Sequence, residues 1–372
     1  MSDAAEPVPP EAAAPRPFPC PKCGAELQYA PGVRSQQCPY CAHVEEVPQS
    51  EEEIHELDFH EYLERLGAAA EGEDVRTIAC KGCGAATTFD PNVTADLCPF
   101  CGNPLVAESK VVREIPPKSL LPFKVTEERA HGSFRDWLRG LWFAPGKLKQ
   151  FARRDHPIKG VYIPYWTYDA KTKSFYRGER GVHYWVTETY RDSQGKTRTR
   201  SVRKTRWYPA SGTVWRNFDD VLVLASRSLP AHHTEALEPW DLKNLEPYTD
   251  EYLAGFRAES YQVGLEPGFE RAKGIMADVI DGDVRRDIGG DEQRVHLVRT
   301  QYNEVTFKHI LLPIWISAYR WKEKVYRFVV NGRTGEVQGE RPWSWVKIAL
   351  AILAAVVLIG GGIALFAAAS GR

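Results

Sequence analysis

Residues Ile348–Ala369 read IALAILAAVVLIGGGIALFAAA, a run of 22 residues with no charge, amide or proline. At about 1.5 Å per residue, a helix of this length crosses a bilayer core of about 30 Å. A buried core helix is the alternative, but soluble helices of this length almost always carry a polar face. The stretch therefore predicts a transmembrane helix that nearly the whole chain precedes.

The residues just before this helix carry the signature of a membrane interface. Trp343 and Trp345 lie there together with Arg341 and Lys347. Aromatic and cationic side chains concentrate where a helix leaves hydrocarbon for the headgroup layer. The sequence therefore predicts a C-terminal membrane anchor over residues 343–372.

Two features predict the side of the membrane that holds the rest of the chain. The start of the sequence, MSDAAEPVPPEAAAPRPFPC, lacks the cationic segment and apolar run of a signal peptide. All eight cysteines fall in CxxC pairs, which suit metal-binding thiolates in a reducing compartment better than a disulfide framework. We expect a single-pass, tail-anchored protein of the cytoplasmic membrane with residues 1–345 in the cytoplasm.

The cysteine pairs repeat each other in spacing and in flanking sequence. Fourteen residues separate the first pair from the second, and fourteen again separate the third from the fourth, with CPKCGA matching CKGCGA and QQCPYC matching DLCPFC. This pattern predicts a duplicated zinc ribbon with one tetrahedral four-cysteine site in each copy, and hence two zinc ions per chain. The predicted ligands are Cys20, Cys23, Cys38, Cys41, Cys80, Cys83, Cys98 and Cys101.

Other chemistry at these cysteines is disfavoured. A redox CxxC motif or a disulfide set would not be expected in four regularly spaced copies. Catalytic zinc is disfavoured too, because four cysteine ligands leave no open position for water or substrate. Gly24 and Gly84 follow the second cysteine of their pairs and supply the freedom that the tight turn needs.

Composition and patterning indicate an α+β fold. The chain has 372 residues, 26% of them charged, and a net charge of −1, so it can form several packed units. We predict two four-cysteine zinc ribbons, a mainly antiparallel, β-rich α+β cytoplasmic domain and one C-terminal transmembrane helix. The predicted segments are a disordered tail (1–17), ribbon 1 (18–50), a helical linker (51–76), ribbon 2 (77–108), the α+β domain (109–342) and the anchor (343–372).

Three helices are predicted before the anchor. Asp58 with Glu61 indicates the start of a short helix in the linker, and Thr126 can cap a second helix. The third is predicted from about Pro267 to Ile288, with a core stripe at 3.6-residue spacing. That stripe comprises Ala272, Ile275, Met276, Val279, Ile280 and Val284.

Six strands are predicted in the α+β domain, at 161–170, 174–190, 197–209, 220–226, 304–321 and 325–332. Two of them share a motif, Ile163-Pro-Tyr-Trp166 and Leu312-Pro-Ile-Trp315, which indicates two related sheet units. A proline cannot donate to a strand ladder, so these motifs predict edge strands or bulges.

One predicted hairpin is strongly basic. Residues 171–206 contain eleven Lys and Arg against three Asp and Glu. Strand alternation places Arg198, Arg200, Lys204 and Arg206 on one face and Arg203 on the other, and neither face has a core-like composition. The simpler interpretation of these charges is a solvated hairpin that balances acidic surface elsewhere. The sharper hypothesis is that these five residues bind an anionic surface, either lipid headgroups or an acidic partner, and that the hairpin sets the orientation of the domain on the membrane.

Catalytic motifs are missing from the sequence. Tyr190 stands where a phosphate-binding loop ending in Gly195-Lys196-Thr197 would need glycine, and neither GxSxG nor GxGxxG occurs. The sequence therefore favours a protein that is not an enzyme.

The phrases KGVYIPYWTYDA, DEYLAGFRAESYQVGLEPGFERAK and HILLPIWISAYRWKEKVYRFVVNGRTGEVQGERPWS follow paired ribbons and precede a terminal anchor. In this combination the chain resembles a family of bacterial membrane proteins often labelled primosomal protein N′ or helicase-like. The resemblance implies zinc binding, membrane attachment and proximity to flotillin-like (SPFH) and phage-shock-type membrane-stress proteins. The helicase label has no support here, because a motor of that class requires the phosphate-binding loop.

These observations predict an adaptor or scaffold that recruits proteins at the cytoplasmic membrane face. The alternative is a membrane-tethered, nucleic-acid-binding ribbon protein. Both ribbons are slightly acidic, whereas a phosphate-binding module should be basic, so nucleic acid is the weaker hypothesis. Small residues at Gly360, Ala364 and Ala368 share one helix face and are compatible with a homo-oligomer.

Overall fold

The computed structural model describes residues 18–48, 54–67, 73–81, 85–88, 95–100, 103–106, 110–145, 158–321, 324–341 and 343–370. The predicted disordered tail, residues 1–17, lies outside them. The helices are α1 (Phe59–Gly67), α2 (Glu127–Gly140), α3 (Ala231–Glu235), α4 (Leu265–Ile288) and α5 (Trp345–Ser370).

The cysteine-rich segments contain short strands: β1 (Gln28–Tyr29), β2 (Ser35–Gln37), β3 (Val44–Glu46), β5 (Glu73–Ala79), β6 (Ala86–Thr88), β7 (Ala95–Leu97), β8 (Pro104–Val106) and β9 (Lys110–Glu114). The central sheet contains β4 (Leu57–Asp58), β10 (Ser119–Leu120), β11 (Lys159–Arg191), β12 (Thr197–Leu224), β13 (Glu246–Pro247), β14 (Arg257–Ala258), β15 (Glu292–Trp321), β16 (Lys324–Asn331) and β17 (Val337–Gly339).

The central sheet is mostly antiparallel, which confirms the predicted α+β class. Its main path runs β12-β11-β15-β10-β13, and β16, β17 and β4 extend it from β15. Two short strands join in parallel: β10 pairs with β15, and β14 pairs with β11. Parallel partners cannot be joined by a tight turn, and both pairs are far apart in sequence. Helices α2 and α4, which follow β10 and β14, lead instead into β11 and β15.

The sheet separates two hydrophobic layers, because side chains alternate along each strand. One face of β11 and β15 carries Val161, Ile163, Ile310 and Leu312, which pack with buried residues of the second cysteine-rich segment and of the 229–240 region. The opposite face packs against the helices. Helix α2 buries Ala130, Phe134 and Leu138, and α4 buries Ala272, Met276, Ile280 and Val284.

The helix termini follow the predicted capping residues. Thr126 Oγ1 accepts a hydrogen bond from Arg129 N at 3.3 Å, and Asp58 Oδ1 accepts one from Glu61 N at 2.8 Å. The predicted stripe on α4 is wrong at two positions: Ile275 and Val279 are exposed, because the sheet contacts a narrower face of the helix than the apolar residues occupy.

The predicted strands at 161–170 and 174–190 form one continuous strand, β11, and those at 197–209 and 220–226 join in β12, which ends at Leu224. Their ladder is continuous except for a bulge between Tyr168 and Ala170, opposite Asp219 and Asp220. A bulge accommodates an extra residue without ending the pairing, so the polar residues between the predicted strands do not mark a strand end.

The two Pro-x-Trp motifs lie in adjacent strands of one sheet and belong to two related units. Each unit runs from a short strand through a helix into a long strand and its return: β10-α2-β11-β12 in the first and β14-α4-β15-β16 in the second. Ser119 of β10 pairs with Ile310 of β15, and Arg257 of β14 pairs with Val161 at the equivalent position of β11. The short strand of each unit therefore pairs with the long strand of the other unit.

Neither proline lies in an edge strand or at a bulge, so that prediction is wrong, and the hydrogen bonds give the reason. Pro164 O accepts from Ala225 N at 3.0 Å, just past the end of β12. The carbonyl of Ala225, which a non-proline residue would use, accepts instead from Gln262 N and Val263 N. Because Pro164 has no N–H, it leaves the carbonyl of Ala225 as an acceptor for the segment that leads into α4.

The second motif repeats this network. Pro313 O accepts from Gly332 N at 2.9 Å, and Gly332 O accepts from Lys124 N and Val125 N, just before α2. Because Pro164 and Pro313 have no N–H, the carbonyls of Ala225 and Gly332 accept from the segments that precede α4 and α2. These bonds hold the start of both helices against the long strands.

Helix α5 has the properties that the anchor prediction requires. Its first 18 residues, Trp345–Gly362, are apolar enough to cross a membrane, and none of them is buried against the rest of the protein. It is the one such helix in the part of the chain that the structure describes.

Candidate metal centre and basic hairpin

The first four cysteines form a compact cluster at the end of the small sheet β1-β2-β3. Cys20 Sγ lies 3.6 Å from Cys41 Sγ, and Cys23 Sγ lies 3.5 Å from Cys38 Sγ. All four sulfur atoms lie within 4.8 Å of one another, an arrangement that could hold a metal ion. The structure thus brings together the first predicted ligand set.

Two matching turns create this cluster. In each, the first cysteine donates its N–H to the carbonyl five residues on, from Cys20 to Ala25 at 2.6 Å and from Cys38 to His43 at 2.8 Å. The residue after the second cysteine is left-handed in both turns, Gly24 with φ 73° and Ala42 with φ 57°. The predicted role of Gly24 is confirmed, and Ala42 adopts the same conformation at a steric cost.

Backbone groups favour a thiolate in this cluster. The N–H groups of Cys41 and Tyr40 lower the pKa of the Cys38 thiol to about 6, against the opposing effect of burial. Although the N–H of Ala25 lowers the pKa of Cys23, the neighbouring thiols of Cys38 and Cys41 raise it, since one thiolate disfavours a second at this distance. A bound cation would remove that repulsion.

The cluster is held firmly against the α+β domain. Tyr29 N donates to Ala254 O at 2.9 Å and Gly32 N donates to Phe123 O at 2.9 Å. The ring of Tyr29 packs edge-on against Tyr252. The first cysteine-rich segment is therefore part of the folded body, next to α2.

The second ligand set is described in part. Cys80 and Cys98 are buried, like the corresponding Cys20 and Cys38. They donate to Ala85 O and Asn103 O, both at 2.8 Å and both five residues on, as in the first cluster. Their predicted co-ligands Cys83 and Cys101 lie outside the described residues.

The basic hairpin extends beyond the rest of the sheet. The ladder between β11 and β15 ends where Gly181 pairs with Glu292. From there on β11 and β12 continue as a two-stranded ribbon to the turn at 192–196, which Asp192 closes by accepting from Gln194 N and Lys196 N. No third strand joins this ribbon among the residues that the structure covers.

Register sets the faces of the ribbon as the sequence predicts. Val182, Tyr184, Glu188 and Tyr190 pair with Arg206, Lys204, Arg200 and Arg198. The other face carries Arg203 opposite Trp185, whose side chain is 67% exposed, among threonine and serine residues. The five predicted cations therefore occupy both faces of the ribbon.

Some of these charges are paired. Glu188 lies 2.9 Å from Lys204 Nζ and 3.3 Å from Arg200, and these hydrogen bonds lower its pKa. Arg198 binds Asp192 at 2.7 Å. The guanidinium of Arg206 lies over the ring of Tyr184 at 5.0 Å. Exposed pairs of this kind contribute little to stability, so the cations stay available to a more strongly binding anion.

The ribbon points away from the anchor. Glu340 N donates to Arg327 O, and Arg327 pairs with Ala318, at the end of the sheet where β11 begins at Lys159. At about 3.3 Å per residue, residues 182–191 lie roughly 75–105 Å further along β11. The order of elements in the chain did not predict the distance between the hairpin and the anchor, because that distance depends on the register of three strands.

An acidic cluster at the bulge was missed by the sequence reasoning. Carboxylate oxygens of Glu56, Asp169 and Asp219 lie within 4.8 Å of one another. Burial raises the pKa of Asp169 to about 7. Lys308 Nζ lies 3.0 Å from Glu56 and 2.8 Å from Asp220, so a cation already sits beside this cluster. The network ties β11, β12 and β15 to the residue that precedes β4, and it had no local sequence signal.

The chain is similar to a known protein over most of its length. No family model matches the chain, and no solved structure matches it. It is similar to the uncharacterized protein YdjG of Bacillus subtilis (strain 168), with 25% identity over 362 residues. The alignment covers 93% of this chain and 98% of YdjG, so the similarity extends well beyond the cysteine-rich segments.

Proposed function

We propose that the protein is a non-enzymatic, zinc-binding adaptor, anchored in the cytoplasmic membrane with its bulk in the cytoplasm, that recruits or organises partner proteins there. The observation that carries this proposal is the apolar helix α5, in which no residue of Trp345–Gly362 is buried, attached to a folded body that displays a long basic hairpin. Such a body has an anchor at one end and an exposed interaction element at the other.

Two zinc ions per chain are part of the proposal. A tetrahedron of sulfurs 2.3 Å from zinc has edges of about 3.8 Å. The first cluster, with its Sγ–Sγ distances of 3.5 and 3.6 Å, fits that size. The second set is supported by the shared backbone pattern at Cys80 and Cys98. In both sites zinc would join two turns of a segment too small to fold alone.

The hairpin is the proposed recruiting element. Of the two anionic surfaces that the sequence leaves open, the register favours an acidic protein partner over lipid, because the ribbon extends away from the anchor. The exposed Trp185 supports this assignment, since aromatic and arginine side chains dominate the binding energy of protein interfaces. Partners of the flotillin-like (SPFH) class remain the leading hypothesis from the resemblance.

Affinity purification in mild detergent tests the proposal. We expect membrane-scaffold proteins to copurify with the full chain and to be lost when Arg198, Arg200, Lys204 and Arg206 are changed to glutamate. The control reverses Arg129 and Arg135, two exposed cations of α2, and should leave copurification unchanged. Equal recovery of partners by all three proteins would contradict the role of the hairpin.

Nucleic-acid binding remains the second candidate, and one observation favours it. The sheet face continuous with Trp185 also exposes Phe175 and Trp215, next to Lys171, Lys173 and Arg177. Aromatic rings among cations are the usual platform for single-stranded nucleic acid. Nuclease treatment of the purified complex separates the two candidates: copurified proteins that survive it support the adaptor, and a nuclease-sensitive complex supports this alternative.

A further inference from the structure

The loop that follows α2 exposes two large aromatic side chains. Trp142 is 82% exposed and Phe143 is 40% exposed. Their neighbours Leu141 and Ala144 are buried, so the loop is held in place from inside while the two rings project outwards. Adjacent exposed aromatic residues on a fixed loop indicate a contact surface.

This loop is bonded directly to the start of α5. Ser344 N donates to Phe143 O at 2.7 Å. Lys347 Nζ donates to Ala144 O at 2.7 Å and to Trp142 O at 3.2 Å. The first turn of the apolar helix and the loop therefore form one unit, although about two hundred residues of sequence separate them.

The aromatic residues of the loop join those of the helix. Trp343 and Trp345 are 50% and 79% exposed, and the guanidinium of Arg341 lies 4.4 Å from the ring centroid of Trp343. Together with Trp142 and Phe143 they place four exposed aromatic side chains at the base of α5. Trp and Phe rings with nearby cations match the boundary between acyl chains and headgroups.

We propose that Trp142 and Phe143 form a second membrane contact, which inserts into the headgroup layer of the bilayer that α5 spans. The bilayer is the partner of this surface because the loop is bonded to the start of α5. A helix that enters the membrane at Trp345 brings the bonded loop to the same depth. The contact would fix the body on the membrane by its α2 end and hold the basic hairpin away from the surface. This inference rests on the proposed membrane anchoring.

Quenching of tryptophan fluorescence by a quencher near the lipid headgroups tests this proposal with the full chain. The protein is reconstituted into phosphatidylcholine–phosphatidylglycerol vesicles in which lipids brominated near the headgroup replace part of the phosphatidylcholine. If Trp142, Trp343 and Trp345 are the residues near the quencher, Trp142→Phe should remove about one third of the quenched signal. Trp185→Phe, a matched exposed tryptophan in the hairpin, should remove none.

Each contrary result has its own meaning. Quenching unchanged by Trp142→Phe, while the full chain is quenched, would overturn the contact but leave the anchor intact. No bromolipid quenching of the full chain would instead refute the membrane anchoring itself. If Trp142→Phe leaves quenching unchanged but alters the oligomeric state in detergent, the loop binds a second copy of the chain, and the lipid proposal is again overturned.

Discussion

Trp166 donates its indole N–H to the carbonyl oxygen of Val263 at 2.8 Å, across 97 residues of sequence. Trp315 makes the equivalent bond to Val125 O, also at 2.8 Å. Both rings lie in the core, and each joins a long strand of one unit to the start of a helix in the other. The pair is the clearest sign that the two units are related.

We predict that Trp166→Phe and Trp315→Phe each lower the free energy of unfolding by about 2–3 kcal/mol, because each leaves a buried carbonyl unpaired and a small cavity. Denaturant unfolding in detergent measures the change. Trp215→Phe, at an exposed position, should change it by less than about 0.5 kcal/mol. A loss at only one of the two buried tryptophans would show that the units are not energetically equivalent.

Metal analysis of the purified chain should give two zinc ions. Cys20→Ser and Cys80→Ser should each lower the content to one, because three thiolates and a hydroxyl bind zinc far more weakly than four thiolates. One equivalent in the wild-type protein, or disulfides within the CxxC pairs of freshly reduced material, would contradict the duplicated ribbon.

The turns of the first cluster allow a reciprocal test. Gly24→Ala should lower the zinc affinity of this site by about fivefold, since a left-handed non-glycine residue costs about 1 kcal/mol. Ala42→Gly should leave the affinity unchanged or raise it, because Ala42 already bears that strain. Competition with a chromophoric chelator gives both values. Equal losses from the two changes would mean that strain is not the cause.

Deleting residues 346–372 should release a soluble, folded protein, because α5 is the one apolar helix of membrane-spanning length among the described residues. Fractionation with and without carbonate washing measures the release. Carbonate-resistant membrane association of the truncated chain would show that another segment spans the membrane.

Local signals made part of this structure predictable. The spacing of the cysteines predicted the first cluster, the apolar run predicted α5, and Thr126 and Asp58 marked helix starts through hydrogen bonds to residues three positions on. Each of these features depends on neighbours in the sequence.

Features that depend on distant pairing were not predictable. The lengths of β11 and β12 and the direction of the hairpin follow from register with β15, more than one hundred residues away. The role of Pro164 depends on Gln262 and Val263, which take the acceptor that it leaves unused. The exposure of Ile275 and Val279 depends on how much of α4 the sheet can cover.

The exchange of short strands between the units has a consequence for biosynthesis. β10 pairs with β15, nearly two hundred residues further on, so the first unit leaves the ribosome with an incomplete sheet. Contacts of such sequence separation form slowly, and unpaired strand edges are prone to aggregation. We expect the nascent chain to need protection by chaperones until β15 has been synthesised, and its two halves to fold only together.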